Sequence, residues 1–75
     1  MWEEGKIQIW GQNFEWSVKR YEVGSVFGID GGRISKLFIK AENGEYFCSY
    51  DRGWDIKPKT QAAKLALEML LEKFN

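Results

Sequence analysis

Nucleophilic and acid–base chemistry in this chain would have to come from one cysteine and eleven carboxylates, because the sequence holds no histidine. Cys48 would need a neighbouring base and an electropositive setting to act as a thiolate. With no imidazole to serve it, Cys48 reads as a small buried apolar residue. Asp30, Asp51 and Asp55 offer the hard oxygens that calcium and magnesium take, but their spacing does not resemble a calcium-binding loop. Glu3-Glu4 and Glu42/Glu45 fall on strand edges and turns, where burial does not tune a carboxyl for proton transfer. The chain is therefore expected to be non-enzymatic, with no catalytic residue, no metal site, no cofactor and no small-molecule substrate.

Two glycine-bearing charged segments are where specific recognition would sit. They are Gly28-Ile29-Asp30-Gly31-Gly32-Arg33-Ile34-Ser35-Lys36-Leu37 and Tyr50-Asp51-Arg52-Gly53-Trp54-Asp55. The first has the look of a phosphate loop, yet such a loop feeds a helix whose N-terminal amides point at the anion, and the pattern after Gly32 is that of a strand. The reading preferred is a tight turn or bulge that re-aims the third strand, with Asp30 bonding local amides and Arg33 pairing with a nearby carboxylate. The second segment reads as the passage from the fourth strand to a helix, Trp54 capping one end of the core while Asp51 or Asp55 pairs with Arg33 or Arg52. Arg33, Arg52 and Trp54 stay on the list of candidate binding residues.

The elements that must position these residues follow from apolar periodicity. Ile7 and Ile9 share a parity, Gly11-Gln12-Asn13 supplies a turn, and Phe14, Trp16 and Val18 resume an apolar face, so a hairpin is expected over about 3–10 and 14–22. A third strand over 33–41 and a fourth over 45–51 flank Asn43-Gly44, read as a type I′ turn with positive φ at both central residues. The fourth strand's faces are Tyr46, Cys48, Tyr50 and Phe47, Ser49, Asp51, and periodicity alone does not say which is buried. After Pro58, Thr60 caps a helix whose Ala63, Ala66, Leu67, Leu70, Leu71 and Phe74 form one apolar stripe, with Gln61, Lys64, Glu68 and Glu72 outward. The fold class is α+β: a four-stranded antiparallel meander with one C-terminal helix on one face, β-β-β-β-α, as a single domain over residues 1–75.

One helix covers only one face of such a sheet. If it takes the face of Ile7, Ile9, Phe14, Trp16, Val18, Leu37 and Ile39, the other presents Trp10, Tyr21 and Phe38 among Lys6, Lys19, Lys36 and Lys40, with Glu4 and Glu15 opposing them. Rings interleaved with lysine suit single-stranded nucleic acid, where bases stack and ammoniums meet phosphates. The same rings also serve as cross-strand pairs or as a self-association surface.

Composition weighs toward the second option. Lys plus Arg and Asp plus Glu each number 11, so no global field draws in a polyanion or an anionic membrane. The 75 residues are 44% hydrophobic and 16% aromatic, enough for one small core that removes roughly 60–65% of the unfolded surface from solvent. A lone cysteine makes no intramolecular disulfide, and no run reaches signal-peptide or transmembrane character. A cytoplasmic protein that contacts another protein or itself through an exposed sheet face is the leading expectation, with a single-strand nucleic-acid-binding accessory protein as the alternative.

The strings Phe27-Gly28-Ile29-Asp30-Gly31-Gly32-Arg33-Ile34-Ser35-Lys36-Leu37 and Tyr50-Asp51-Arg52-Gly53-Trp54-Asp55, with Pro58 and an Ala/Leu helix ending near Phe74-Asn75, are distinctive. Through them the chain resembles a family of small uncharacterised proteins, a domain of unknown function, from Gram-positive bacteria and their phages and mobile elements. The resemblance spans nearly the full length. It implies a compact stand-alone domain and transfers no catalytic residue.

Overall fold

Five strands and one helix follow one another in the computed structural model, which describes residues 1–75. The strands are β1 (Trp2–Ile9), β2 (Gln12–Arg20), β3 (Ile34–Ala41), β4 (Tyr46–Asp51) and β5 (Trp54–Ile56), and the helix α1 spans Gln61–Phe74. Each strand pairs antiparallel with the next, in the order β1-β2-β3-β4-β5. The α+β meander with a C-terminal helix is as expected, but the sheet has five strands, not four. The fifth carries no signal in the sequence, because three residues are too few to display an alternation.

Turn chemistry accounts for the other differences. Ile9 faces Gln12, so the first hairpin turns on Trp10-Gly11, one residue earlier than Gly11-Gln12-Asn13 suggests. Both residues have positive φ, 51° at Trp10 and 80° at Gly11, the requirement of a type I′ turn. At Asn43-Gly44 only Gly44 has positive φ, at 88°. Gly44 N donates to Ala41 O at 2.9 Å and Ala41 N donates to Glu45 O at 2.8 Å, so the loop has three residues and ends in a glycine bulge. Asn43 Oδ1 accepts from Glu45 N at 2.9 Å and rigidifies it. The expected type I′ geometry therefore belongs to the first hairpin and not to the Asn-Gly one.

The core lies between one sheet face and α1. Phe14, Val18, Leu37, Ile39 and Cys48 have no accessible surface, and Ile9 and Tyr50 are buried with them. From the helix, Ala62, Ala63, Ala66, Leu67, Leu70 and Phe74 are buried, a stripe set by three- and four-residue spacing. Thr60 starts the helix, its Oγ1 accepting from Ala63 N at 3.1 Å. Burying each large aliphatic or aromatic side chain of this set contributes about 1.5–3 kcal/mol. No helix is long and apolar enough to cross a membrane.

Candidate functional site

The sheet face away from α1 is built by the alternate residues of β1 to β4. Trp2, Glu4, Lys6 and Gln8 of β1 stand across from Lys19, Ser17, Glu15 and Asn13 of β2. Glu15, Ser17 and Lys19 stand in turn across from Lys40, Phe38 and Lys36 of β3. Strict alternation along β4 would place Tyr46 with Cys48 and Tyr50 in the core. Instead a bulge lets Lys40 face Tyr46 while Ile39 faces Cys48, so Phe47 is the extra residue. Phe47 packs edge-on to Phe14 on the core side, with ring centroids 5.4 Å apart. Tyr46 is thereby released to the open face.

The result is a row of rings across the sheet. Trp2 and Phe38 lie near-parallel with centroids 6.3 Å apart, and Tyr46 meets Phe38 edge-on at 6.2 Å. Trp2 is 52% exposed and Tyr46 43%. Lysines flank the row: Lys40 Nζ lies 5.6 Å from the centre of the Tyr46 ring, and Lys36 Nζ lies 3.6 Å from Asp51 Oδ1. Glu4, Lys6, Glu15, Ser17 and Lys40 line a shallow depression of about 380 Å³ beside it. The face thus carries both signs of charge around an apolar row.

Of the residues singled out from sequence, Lys19, Lys36 and Phe38 fall on this face. Tyr21 lies just beyond the end of β2, where Lys19 Nζ stands 5.7 Å from its ring centre. Trp10 is not on the face: its place in the hairpin turn leaves it 73% exposed at the sheet's end. Trp54 pairs with Tyr50 and meets its ring edge-on at 5.1 Å, which puts it on the core side at the β5 edge, 36% exposed. Trp2 and Tyr46 join the face without being among the residues expected from sequence. Trp2 shares the parity of Glu4 and Lys6 and was legible once β1 is extended by one residue, whereas nothing in the local pattern marks the bulge that exposes Tyr46.

Arg33 and Arg52 each take part in a backbone hydrogen bond that ties neighbouring segments together. Tyr21 N donates to Arg33 O at 3.1 Å, and Arg52 N donates to Ser35 O at 2.9 Å from a residue with φ of 58°. The expected Arg33–carboxylate pair does not form, nor does Asp51 or Asp55 pair with Arg33 or Arg52; the ion pairs present are Arg20–Glu3 and Lys36–Asp51. Asp30 makes a backbone turn, with φ of 53° in a single 3-10 turn at Ile29–Gly31. The amides nearby are bonded by another side chain: Asn75 Oδ1 accepts from Ile34 N and Asn75 Nδ2 donates to Ile29 O, both at 3.0 Å. A Cβ on Gly28 would lie 1.9 Å from Gly32 O, so this string is a close-packed clamp that carries Ile29 into the core. Tyr50 OH fastens the same loop by donating to Phe27 O at 2.8 Å.

The chain's one thiol is enclosed. Burial pushes the Cys48 pKa up to about 12, so it stays protonated and unreactive in the folded state. No three His, Cys, Asp or Glu side chains come together as a metal site. The open sheet face presents groups for stacking, cation–π attraction and charge pairing.

Residues 1–75 match a family model described as "Domain of unknown function (DUF7678)". No curated protein and no solved structure matches the chain. The full-length match settles the family question that the two distinctive strings raised: the chain belongs to the DUF7678 domain family.

Proposed function

We propose that this chain is a non-catalytic contact domain whose open sheet face holds another protein. The observation that carries this reading is the row Trp2–Phe38–Tyr46, left uncovered because one helix shields only the opposite face. Aromatic residues are enriched at protein interfaces, and charges of both signs around them give orientation and selectivity. A cytoplasmic setting, and a source among Gram-positive bacteria, their phages and mobile elements, belong to the same proposal. A second reading, single-stranded nucleic-acid binding, is favoured by Lys19, Lys36 and Lys40 standing beside Phe38 and Tyr46.

The test is capture from native lysate by the parent chain and by Trp2→Ala, with and without nuclease, beside fluorescence titration with single-stranded oligonucleotides. The protein reading expects a nuclease-resistant partner that Trp2→Ala loses while its melting curve stays close to the parent's. Saturable oligonucleotide binding that weakens steeply with salt, and by roughly 1–3 kcal/mol in Phe38→Ala, would replace it with the nucleic-acid reading.

A further inference from the structure

The free edge of β1 carries a pattern that fits a second copy of the same chain. Arg20 N donates to Met1 O at 2.9 Å and Met1 N donates to Arg20 O at 3.0 Å, a doubly bonded pair. The register with β2 runs unbroken from there to Ile9 opposite Gln12. Such pairs recur at every second residue of an antiparallel ladder, so Glu3, Gly5, Ile7 and Ile9 direct their amides and carbonyls at β2. Trp2, Glu4, Lys6 and Gln8 therefore turn theirs outward, to an edge with no neighbouring strand.

The two edges of the sheet differ in how they are protected. β5 has three residues and is followed by Lys57-Pro58, whereas β1 has eight residues, no proline and no bulge. Two copies of β1 paired antiparallel about a two-fold axis would bond through their outward residues. An axis at Glu4 puts Glu4 opposite the second copy's Glu4, and an axis at Lys6 puts lysine opposite lysine. An axis at Gly5 puts Glu4 opposite Lys6 twice and Trp2 opposite Gln8 twice. Only this register matches charge. It also prolongs a ladder already present, because Lys40, Glu15 and Lys6 are successive neighbours across β3, β2 and β1, and the second copy's Glu4 continues the alternation of sign.

The helix-bearing side agrees with that axis. A Cβ on Gly5 would lie 2.8 Å from the Trp16 ring, so the indole is drawn over the strand at the point where the axis would pass. Trp16 and Ile7 are half-buried members of the core's rim, and a strand added alongside β1 would cover them further. We propose that β1 is the edge through which two copies of this chain pair, antiparallel and centred on Gly5, into one continuous sheet with both open faces on the same side. The pairing uses edge amides and the Glu4/Lys6 charges, and does not rest on what the open face binds.

Sedimentation equilibrium on the purified full chain, from micromolar to millimolar concentration, tests the proposal. A monomer–dimer equilibrium is expected. Glu4→Lys makes both symmetric pairs like-charged and should raise the dissociation constant by roughly tenfold or more, and adding Lys6→Glu should recover most of the loss. Glu4→Pro removes an outward N–H while leaving the β2 ladder whole, so it should give a folded monomer. Tyr46→Ala, on β4 and three strands away from the β1 edge, should leave the dissociation constant within roughly threefold of the parent's. A parent that stays monomeric at millimolar concentration overturns the proposal, as does a folded Glu4→Pro variant that still dimerises. Dimers lost in Tyr46→Ala but kept in Glu4→Pro would move self-association to the open face and equally overturn it.

Discussion

On one side of the sheet Phe14, Val18, Leu37, Ile39 and Cys48 meet Ala66, Leu67, Leu70 and Phe74 with almost no surface left to solvent. On the other side Trp2, Phe38 and Tyr46 lie in an uncovered row, ringed by lysines and carboxylates. Both sides are products of the same alternation, and the strands do not choose between them. The choice is made by α1, whose single apolar stripe can seal one face. Large apolar side chains therefore hold the fold together on one side, and on the other they stand exposed to solvent.

Substitutions on the two faces should separate most widely in stability. Leu67→Ala or Leu70→Ala should cost about 2–4 kcal/mol in urea denaturation, through lost transfer energy and the cavity left behind. Trp2→Ala should cost about 1 kcal/mol or less, since it gives up one exposed ring pair. Equal costs would mean that the open face is part of the structural core.

The clamp at Gly28–Gly32 should behave as core, despite its charged sequence. Asn75→Ala leaves Ile34 N and Ile29 O without their partner and should cost about 1–3 kcal/mol. A melting temperature unchanged in Asn75→Ala would return this string to the candidate binding residues.

Cys48 gives a pH signature of the sealed side. Its ordinary pKa of 9.0 is pushed up to about 12 by burial, so the folded chain keeps a proton that the unfolded chain gives up. The stability held by the protonated thiol is complete below pH 9 and is lost as pH rises from about 9 toward 12, at up to about 1.4 kcal/mol per pH unit. Cys48→Ala should flatten that part of the profile, as followed by urea midpoints at several pH values. An identical slope in the variant would place the thiol within reach of solvent.

A smaller effect is expected at the loop joining β3 and β4. Gly44→Val should lower the melting temperature more than Gly44→Asn, because a β-branched residue is strained at φ of 88° where Asn is tolerated. Equal melting temperatures would show that the loop relaxes away from this geometry.

The sealed side was largely legible in the sequence. Ala63, Ala66, Leu67, Leu70 and Phe74 repeat at helical spacing, and Ile9, Phe14, Val18, Leu37 and Ile39 alternate cleanly, so both partners of the core announce themselves. The open side was legible only where alternation is unbroken, at Lys6, Lys19, Lys36, Phe38 and Lys40. The alternation extends to Trp10, yet Trp10 sits in the turn, because it takes the positive φ that bulky residues rarely adopt and the turn falls one residue earlier than Gly11-Gln12-Asn13 suggests. Tyr46 was hidden by the bulge at Phe47, a one-residue insertion that reverses the parity of everything before it in β4. β5 folds back on β4 as a local hairpin but is too short to show an alternation, whereas the Asn75 clamp depends on long-range contacts from the end of α1, for which no local pattern exists.

Hydroxyl-radical footprinting tests most directly whether the open face is a contact surface. The tagged chain would be captured from nuclease-treated native lysate with whatever it holds, and its side-chain oxidation compared with that of the purified chain. Protection of Trp2, Phe38 and Tyr46 in the captured sample, with Trp10 oxidised equally in both, is the outcome that the two-face account predicts. Equal oxidation of Trp2 and Tyr46 in both samples, with protection at Trp10 or along Val23–Phe27 instead, would contradict it.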